Sequence, residues 1–214
     1  MPLKKSLKQT MKELKRQLRK QIKEEKKLHS ANELMERSSI LLKQIEEHPR
    51  FIAARTILMY HSLGDEVQTH AFVEKWHTSK HILLPIVQGD ILILRHYQGK
   101  DLMQVGAFGI EEPVGKEFTD YDEIELGIIP GVAFDLQGNR LGRGKGYYDK
   151  LLPLLKKSYN IGICYHFQAL EEIPAEPEVT EALEEPAEDA ISAILPANFG
   201  ELLAQAAPIV DRTG

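Results

Sequence analysis

The sequence predicts an α/β fold with a mostly parallel sheet. Short apolar runs bounded by turn residues are typical of buried strands. These runs alternate along the chain with segments of helical periodicity, and the alternation indicates strands joined by helices. The chain has 214 residues and no visible internal repeat, which suits a single domain and argues against a solenoid or a propeller.

Two helices are predicted before the first strand. Near the start of the chain, apolar residues recur at spacings of three and four, which places them on one helical face among lysines and arginines. These residues are Leu7, Met11, Leu14, Leu18 and Ile22. Residues 33–45 have the same periodicity and form the second predicted helix, which Pro49 ends because proline cannot continue a helix.

Strands and helices then alternate toward the end of the chain. Strands are predicted at residues 56–60, 81–85, 90–97, 125–130 and 160–165. Helices are predicted at residues 69–78 and 147–155. Residues 174–189 are rich in Glu, Pro and Ala and are expected to form an exposed loop or a linker. Residues 190–214 are expected to be either a strand plus a helix or a poorly ordered tail.

The composition excludes several classes of protein. With 43% hydrophobic residues, the chain is not disordered throughout. Its single cysteine, Cys164, excludes an intramolecular disulfide framework and a cysteine-based zinc cluster. No apolar run approaches the roughly 18 residues of a membrane span, and the first residues lack the apolar core of a signal peptide. We therefore expect a reduced, cytoplasmic protein that does not bind membranes.

Charge is distributed unevenly along the chain. Residues 1–28 contain eleven Lys and Arg and three Glu, a net charge of +8, although the whole chain carries −5. Residues 171–189 hold nine acidic side chains and no basic one. A basic helix can contact nucleic-acid phosphates, so a nucleic-acid-binding protein is an alternative. The acidic remainder of the chain and the lack of aromatic residues in the basic helix count against it.

The most informative segment is residues 130–151, PGVAFDLQGNRLGRGKGYYDKL. A predicted buried strand leads into glycines interleaved with Arg140, Arg143 and Lys145, and a predicted helix follows. Glycines let backbone amides approach an anion, the start of a helix adds amide donors, and cations bind phosphate oxygens. The segment therefore predicts a phosphate-binding loop, although its spacing matches neither the P-loop nor the dinucleotide-binding pattern.

Several other side chains could have a functional role, and each also has a purely structural explanation. Asp149 could hold Mg²⁺ beside phosphates, or it could favour the start of its helix as an acidic residue. Glu66 follows a predicted strand and could bind the polar edge of a heterocycle, or it could be a surface acid of the loop. His77 and His81 lie four residues apart without a third ligand, so a metal site is not favoured there. Cys164 lies in an apolar strand and is expected to be a core residue.

The glycine segment strongly resembles the signature of the 5-formyltetrahydrofolate cyclo-ligase family. That signature is a strand ending in P-G, then F-D, then G-x-R-x-G-x-G-x-G-Y-Y-D. The matching residues are Pro130, Gly131, Phe134, Asp135, Gly138, Arg140, Gly142, Gly144, Gly146, Tyr147, Tyr148 and Asp149. Shorter similarities at residues 15–19, 60–69, 84–85 and 110–113 extend the resemblance over residues 12–175.

The resemblance implies an ATP- and Mg²⁺-dependent enzyme. Members of the family convert 5-formyltetrahydrofolate and ATP into 5,10-methenyltetrahydrofolate, ADP and phosphate. The formyl oxygen attacks the γ-phosphate, and the neighbouring anilino nitrogen closes the ring as phosphate leaves. The implied fold is a three-layer α/β/α sandwich related to sugar-phosphate isomerases and CoA transferases. The implied ligands are a reduced folate and ATP, and we expect a monomer that binds no nucleic acid.

Site residues follow from the resemblance by position. Catalytic roles are implied for Arg143, Lys145 and Tyr147. ATP contacts are implied for Lys15, Arg19, Arg140, Leu141, Gly142, Arg143, Gly144, Lys145, Gly146, Tyr147 and Tyr148. Folate contacts are implied for His61, Glu66, Phe108, Arg143, Gly144, Lys145, Gly146 and Tyr147. Metal ligation is implied for Asp149, and also for Asp189 if the acidic segment is an insertion.

The chain departs from the family pattern near its end. Relatives continue after I-P-x-E to a His-Asp pair, whereas residues 173–178 read IPAEPE and no such pair follows. If residues 174–189 are an insertion, Asp189 supplies the second acid and residues 191–195 form the last strand. If the end is unrelated to the family, the chain could be a non-catalytic folate- or nucleotide-binding relative. The insertion is favoured, and residues 1–11 are expected to be an N-terminal extension.

Overall fold

The computed structural model of the protein describes residues 2–106, 109–174 and 192–193. Within them the helices are α1 (Pro2–Lys26), α2 (Ala31–Glu47), α3 (Pro49–Ala53), α4 (His70–Trp76) and α5 (Tyr147–Leu151). The strands are β1 (Thr56–Leu58), β2 (His81–Gln88), β3 (Ile91–His96), β4 (Met103–Val105), β5 (Glu111–Pro113), β6 (Glu117–Phe118), β7 (Leu126–Pro130), β8 (Ala133–Asp135), β9 (Arg140–Leu141), β10 (Tyr159–Ile163), β11 (Ala169–Leu170) and β12 (Ser192–Ala193). All the elements predicted between residues 33 and 165 are present, with shifted ends.

Seven of these strands form one central sheet in the order β12-β10-β7-β1-β2-β3-β6. The strands from β12 to β2 pair in parallel, whereas β3 pairs antiparallel with both β2 and β6 at one edge. This sheet confirms the predicted α/β class. The antiparallel edge arises because Gly89, with a φ of +63°, turns the chain back between β2 and β3.

Apolar side chains cover both faces of the sheet, because successive residues of a strand point to opposite sides. Ile57 of β1 and Met59, directly after the strand, pack with the core residues of α2, α3 and α4. The intervening Leu58 packs on the other side with Leu151 and Leu155, at and beyond the end of α5. All five side chains are buried. Helices on both sides of the sheet make the three-layer arrangement that the resemblance implied.

Helix α1 contacts the rest of the protein along its later turns. Ile22 is buried, and Leu18 packs against a small apolar cluster that includes residues of β8 and β9. Leu14, on the same apolar face, has 42% of its surface exposed. The expected N-terminal extension, residues 1–11, is part of this helix from Pro2 onward. The apolar period therefore predicts the helix, but it does not predict that Leu14 is partly exposed.

Several short elements are not predicted by the sequence. Helix α3 has five residues and begins at Pro49, the residue expected to end the preceding helix. Strands β8, β9 and β11 have two or three residues each and form a small separate sheet. Such lengths contain too few residues for a period to be recognised. The helix predicted at residues 147–155 is α5 followed by a 3-10 turn, because Pro153 lacks the N–H that an α-helix needs there.

After residue 174 the structure describes one short strand, residues 192–193. Strand β12 pairs in parallel with β10 and falls within residues 191–195, where the last strand is expected. The rest of the acidic loop and of the tail, residues 175–191 and 194–214, lies outside the described residues. None of the described helices combines the length and apolar character that a membrane crossing needs.

Candidate active site

The candidate site lies at the carboxyl ends of β1, β7 and β10, which are neighbours in the sheet. Because these strands are parallel, the loops that follow them meet at the same edge. The loop after β1 carries Glu66, the segment after β7 leads to the glycine loop (residues 138–146), and the loop after β10 carries Tyr165. The hydroxyl of Tyr165 donates a hydrogen bond to the carbonyl of Glu66 at 2.9 Å, so the first and third loops are in contact.

A buried carboxylate fixes the base of the glycine loop. Asp135 is fully buried, and its oxygens accept hydrogen bonds from the backbone N–H groups of Gln137, Asn139 and Ile173. The side-chain amide of Asn139 adds a fourth donor at 2.9 Å. Four donors satisfy a carboxylate that is withdrawn from water. Asp135 therefore ties the hairpin of β8 and β9 to the chain beyond β11.

Two glycines leave room for an aromatic ring beneath this hairpin. A Cβ at Gly131 would lie 2.6 Å from the ring of Phe134, and a Cβ at Gly162 of β10 would lie 2.4 Å from it. Phe134 is almost completely buried. A larger residue at either position would force the ring, and strand β8 with it, away from the sheet. These close contacts fix the height of the hairpin above β10.

Helix α1 brings a cation to the glycine loop. The Nε of Arg19 donates a hydrogen bond to the carbonyl of Gly142 at 2.7 Å, and its guanidinium lies beside Gly144. Gly144 and Gly146 have φ values of +95° and +72°, which side chains rarely allow. Lys15 lies one helical turn before Arg19 on the same face of α1. The structure therefore places Arg19 at the loop and Lys15 on the helix face that leads to it.

Arg140 is an internal anchor of the glycine loop. Its guanidinium donates hydrogen bonds to the carbonyl of Pro130 at 3.2 Å and to the carboxylate of Asp149 at 3.0 Å. It also lies 5.0 Å from the centre of the Tyr148 ring. The side chain of Arg140 is 8% exposed and that of Asp149 is 72% exposed. Arg140 thus links the end of β7 to the first turn of α5, while Asp149 remains accessible to a further ligand.

Arg143 joins the glycine loop to the loop after β1. Its Nε and Nη2 lie 3.1 and 3.0 Å from Oε1 of Glu66, and Nη2 also pairs with Asp65. Burial lowers the pKa of Arg143, but the two carboxylates outweigh burial and raise its pKa overall. Burial raises the pKa of Asp65, and Arg143 outweighs burial and lowers it. Both groups are charged at neutral pH, so the contact is an ion pair. We call this contact the Arg143 bridge.

A cavity of about 420 Å³ lies between α1 and these loops. Its lining includes the two acids of the Arg143 bridge and small or apolar residues. The cations that line it are Arg19, Lys23, Lys26, Lys27 and Arg143. The side chain of Lys26 is 15% exposed, and burial lowers its pKa. The cavity is cationic and has the size of a site for a small organic ligand.

His61 is a neutral side chain at the start of the loop after β1. Its ring stacks on that of His70, with the ring centres 3.8 Å apart. His70 is in turn held by a contact of 2.8 Å between its Nε2 and the carbonyl of Ser62. Burial, and then the neighbouring His70, lower the pKa of His61 to about 4. At neutral pH this ring can exchange hydrogen bonds with a ligand but carries no charge.

The remaining residues of the glycine loop have different surroundings. Lys145 is exposed, whereas Leu141 is buried. Tyr147 packs against the apolar cluster under α5, and its hydroxyl donates to the carbonyl of Gly89 at 3.4 Å. Burial raises the pKa of Tyr148 well above its usual range, so its hydroxyl stays protonated. The implied catalytic and ATP-binding roles of these residues stay predictions.

Two predicted site residues, Phe108 and Asp189, lie outside the described residues, and their roles stay predictions.

In the part of the chain that the structure describes, no group of three or more His, Cys, Asp or Glu side chains could hold a metal ion. The ring of His77 lies edge-on against that of Tyr97. Burial raises the pKa of Cys164 to about 12, so its thiol is protonated and unreactive at neutral pH.

Sequence reasoning missed Asp65 and Lys26, which the structure places in the cavity beside Glu66. Lys26 follows Arg19 by seven residues, so helical spacing alone could have placed both on one face of α1. The pairing of Asp65 with Arg143 joins residues 78 positions apart. No local pattern indicates such a contact.

The sheet is mostly parallel, and a cationic glycine loop lies at the carboxyl ends of its strands. These features define an α/β protein with a ligand site at that end of the sheet. Residues 11–184 match the model of the 5-formyltetrahydrofolate cyclo-ligase family. The chain is 33% identical over 131 residues to the 5-formyltetrahydrofolate cyclo-ligase of Haemophilus influenzae. The aligned region covers 58% of this chain and 70% of that protein. The chain is also 30% identical over 164 residues to the probable 5-formyltetrahydrofolate cyclo-ligase of Schizosaccharomyces pombe. That aligned region covers 67% of this chain and 80% of that protein.

Solved structures show the same similarity. The 5,10-methenyltetrahydrofolate synthetase of Aquifex aeolicus matches with a TM-score of 0.69 and 34% identity over 76% of this chain and 84% of its own. The synthetase of Mycoplasma pneumoniae matches with a TM-score of 0.59 and 27% identity over 76% of this chain and 92% of its own. The chain therefore belongs to the 5-formyltetrahydrofolate cyclo-ligase family, and the predicted family and enzyme class, a ligase, are confirmed.

The protonation of His61 tests the electrostatics of the site. An NMR titration of its imidazole is expected to have a midpoint at about pH 4, and His70→Asn should raise that midpoint by removing the neighbouring ring that disfavours a charge on His61. The control His48→Asn, in the cap between α2 and α3, should leave it unchanged. Between pH 4 and 6.5 the unfolded chain binds a proton at His61 and the folded chain does not, so acid should lower stability there. A midpoint near 6.5 in the unsubstituted protein would contradict this account.

Proposed function

We propose that this protein catalyses the ATP- and Mg²⁺-dependent cyclisation of 5-formyltetrahydrofolate to 5,10-methenyltetrahydrofolate, with release of ADP and phosphate. The observation that carries the proposal is the Arg143 bridge. It joins a glycine loop suited to phosphate with a loop suited to a heterocycle, beside one cationic cavity. Family membership and the names of the relatives support the same reaction.

The glycine loop and α1 are proposed to bind the phosphates of ATP. Loop amides supply neutral donors, and Lys15, Arg19 and Lys145 supply positive charge. The rest of the proposed nucleotide site is Arg140, Leu141, Gly142, Arg143, Gly144, Gly146, Tyr147 and Tyr148. Phosphoryl transfer depends mainly on positioning and on neutralisation of charge, and this set of residues can provide both.

The donors near the glycine loop fit a magnesium ion that enters with ATP. Mg²⁺ is usually held by one or two carboxylates together with phosphate oxygens and water. Asp149 offers one exposed carboxylate at the start of α5. We propose Asp149 as a ligand and Asp189 as a second acid. Bound there, Mg²⁺ would neutralise part of the phosphate charge.

The loop after β1 is proposed to bind the reduced folate. Glu66 would accept hydrogen bonds from the pterin edge, with His61 and Phe108 beside it. Arg143, Gly144, Lys145, Gly146 and Tyr147 would face the formyl group. The formyl oxygen then attacks the γ-phosphate and ADP leaves. The anilino nitrogen next attacks the formyl carbon of the phosphorylated intermediate and loses its proton. The carbon–oxygen bond breaks, and phosphate leaves.

A nucleic-acid-binding function is not favoured. Two cations of the basic helix, Arg19 and Lys26, contact Gly142 and Asp65 within the site and line its cavity. On the sequence alone, we propose a cytoplasmic monomer that acts on small molecules and binds neither nucleic acid nor membrane.

The direct test of the proposed function is the absorbance of the methenyl product. Purified protein mixed with 5-formyltetrahydrofolate should form that product when both ATP and Mg²⁺ are present. Omission of either one should abolish formation, because the formyl oxygen is a poor leaving group until it is phosphorylated. Absence of ATP-dependent product from folded protein would exclude the proposed reaction.

Lys145 tests the phosphate-binding role of the glycine loop. Lys145→Ala should weaken ATP binding by about 1.5 kcal/mol, the lower end for a charge-assisted hydrogen bond, since Lys145 is exposed. Calorimetry would then give an approximately tenfold higher Kd. Lys116→Ala removes another exposed lysine, outside the loop, and is the matched control. Equal ATP affinities in the two variants would count against the loop.

A further inference from the structure

The Arg143 bridge engages both oxygens of the carboxylate proposed to recognise the folate. Oε1 of Glu66 accepts hydrogen bonds from two nitrogens of Arg143 at 3.0 and 3.1 Å. Oε2 accepts the backbone N–H of Leu63 at 2.9 Å. The Glu66 side chain is 14% exposed, so little of it is open to a new partner. In this arrangement a pterin edge can pair with Glu66 only if Arg143 withdraws.

Asp65 holds Arg143 in this position. It pairs with Nη2 of Arg143, the nitrogen that also contacts Glu66. Lys26 supports Asp65 from α1, where its ammonium contacts the backbone carbonyl of Asp65 and lies 3.9 Å from the carboxylate. Asp65 is not among the residues proposed above to bind the folate. Its contacts indicate a positioning residue that acts through Arg143.

Arg143 has a second possible set of partners within its own loop. It stands between Gly142 and Gly144, and its side chain is 43% exposed. Phosphate oxygens bound at the glycine loop would compete with the two carboxylates for the guanidinium, which has donors in a fork that suits either group. Gly142 and Gly144 flank Arg143, and glycine allows a wider range of backbone conformations than other residues, so the loop can change its path next to Arg143.

We propose that Arg143 transfers from Asp65 and Glu66 to the phosphates when a nucleotide binds, so that ATP raises the affinity for the folate, and that Asp65 sets the strength of this coupling. The inference rests on the proposed function, because it requires ATP and 5-formyltetrahydrofolate as the two ligands. By linkage, the folate must raise the affinity for the nucleotide by the same factor.

Calorimetry with a non-hydrolysable imido analogue of ATP, added with Mg²⁺, tests the coupling. In the unsubstituted protein the Kd of 5-formyltetrahydrofolate should fall about tenfold when the analogue is saturating, within the usual range of coupling between sites. In Asp65→Asn the folate should bind severalfold more tightly without nucleotide, and the ratio should fall toward one. The reciprocal titration, of the analogue with and without folate, should give the same ratio in the unsubstituted protein.

Asp122→Asn is the matched control. Asp122 is as exposed as Asp65, 54% against 52%, and it pairs with Lys157 instead of the site, so this variant should keep the tenfold ratio. A ratio of one in the unsubstituted protein, or an unchanged ratio in Asp65→Asn, would overturn the inference while leaving the proposed function intact. Failure of the unsubstituted protein to bind 5-formyltetrahydrofolate at all would overturn both.

Discussion

The parallel pairing of β1, β7 and β10 is the constraint on which the candidate site depends. The register sets Ile57 beside Leu126 and Ile128 beside Ile161, so these strands end at one edge of the sheet. The three loops that follow come from distant parts of the chain and meet there because the strands run in the same direction. Buried apolar side chains on both faces fix that register, since a shift by one residue would turn each strand over.

The charged residues at this edge divide into anchors and accessible groups. Asp135 and Arg140 are largely buried and bonded to backbone groups and near neighbours, so they shape the glycine loop. Lys145 and Asp149 are exposed and remain available to a ligand. Arg143 falls between the two classes, because it is half exposed yet paired with carboxylates of another loop. A motif that reads as one string of cations and glycines thus contains residues with quite different physical roles.

The sequence predicts the α/β class and the positions of the main strands along the chain, because each depends on a local pattern. The phosphate-binding role of the glycine loop stays a prediction. Leu14 shows what a local pattern does not predict. It lies on the apolar face of α1, yet much of its side chain is exposed to solvent. The short strands beside Asp135 and the pairing of Asp65 with Arg143 depend on tertiary contacts, which no spacing along the chain reveals. Lys26 lies between these cases, because helical spacing places it near Arg19 but does not show its partner.

The proposed reaction requires the loops at this end of the sheet to form a single site, in which the phosphoryl group passes from ATP directly to the folate. The most direct measurement follows phosphate and methenyl product together in one reaction, with a parallel reaction that lacks 5-formyltetrahydrofolate. We expect one phosphate released for each methenyl product and negligible phosphate release without the folate. Phosphate release at the same rate in both reactions would contradict it, because ATP would then react with water independently of the folate.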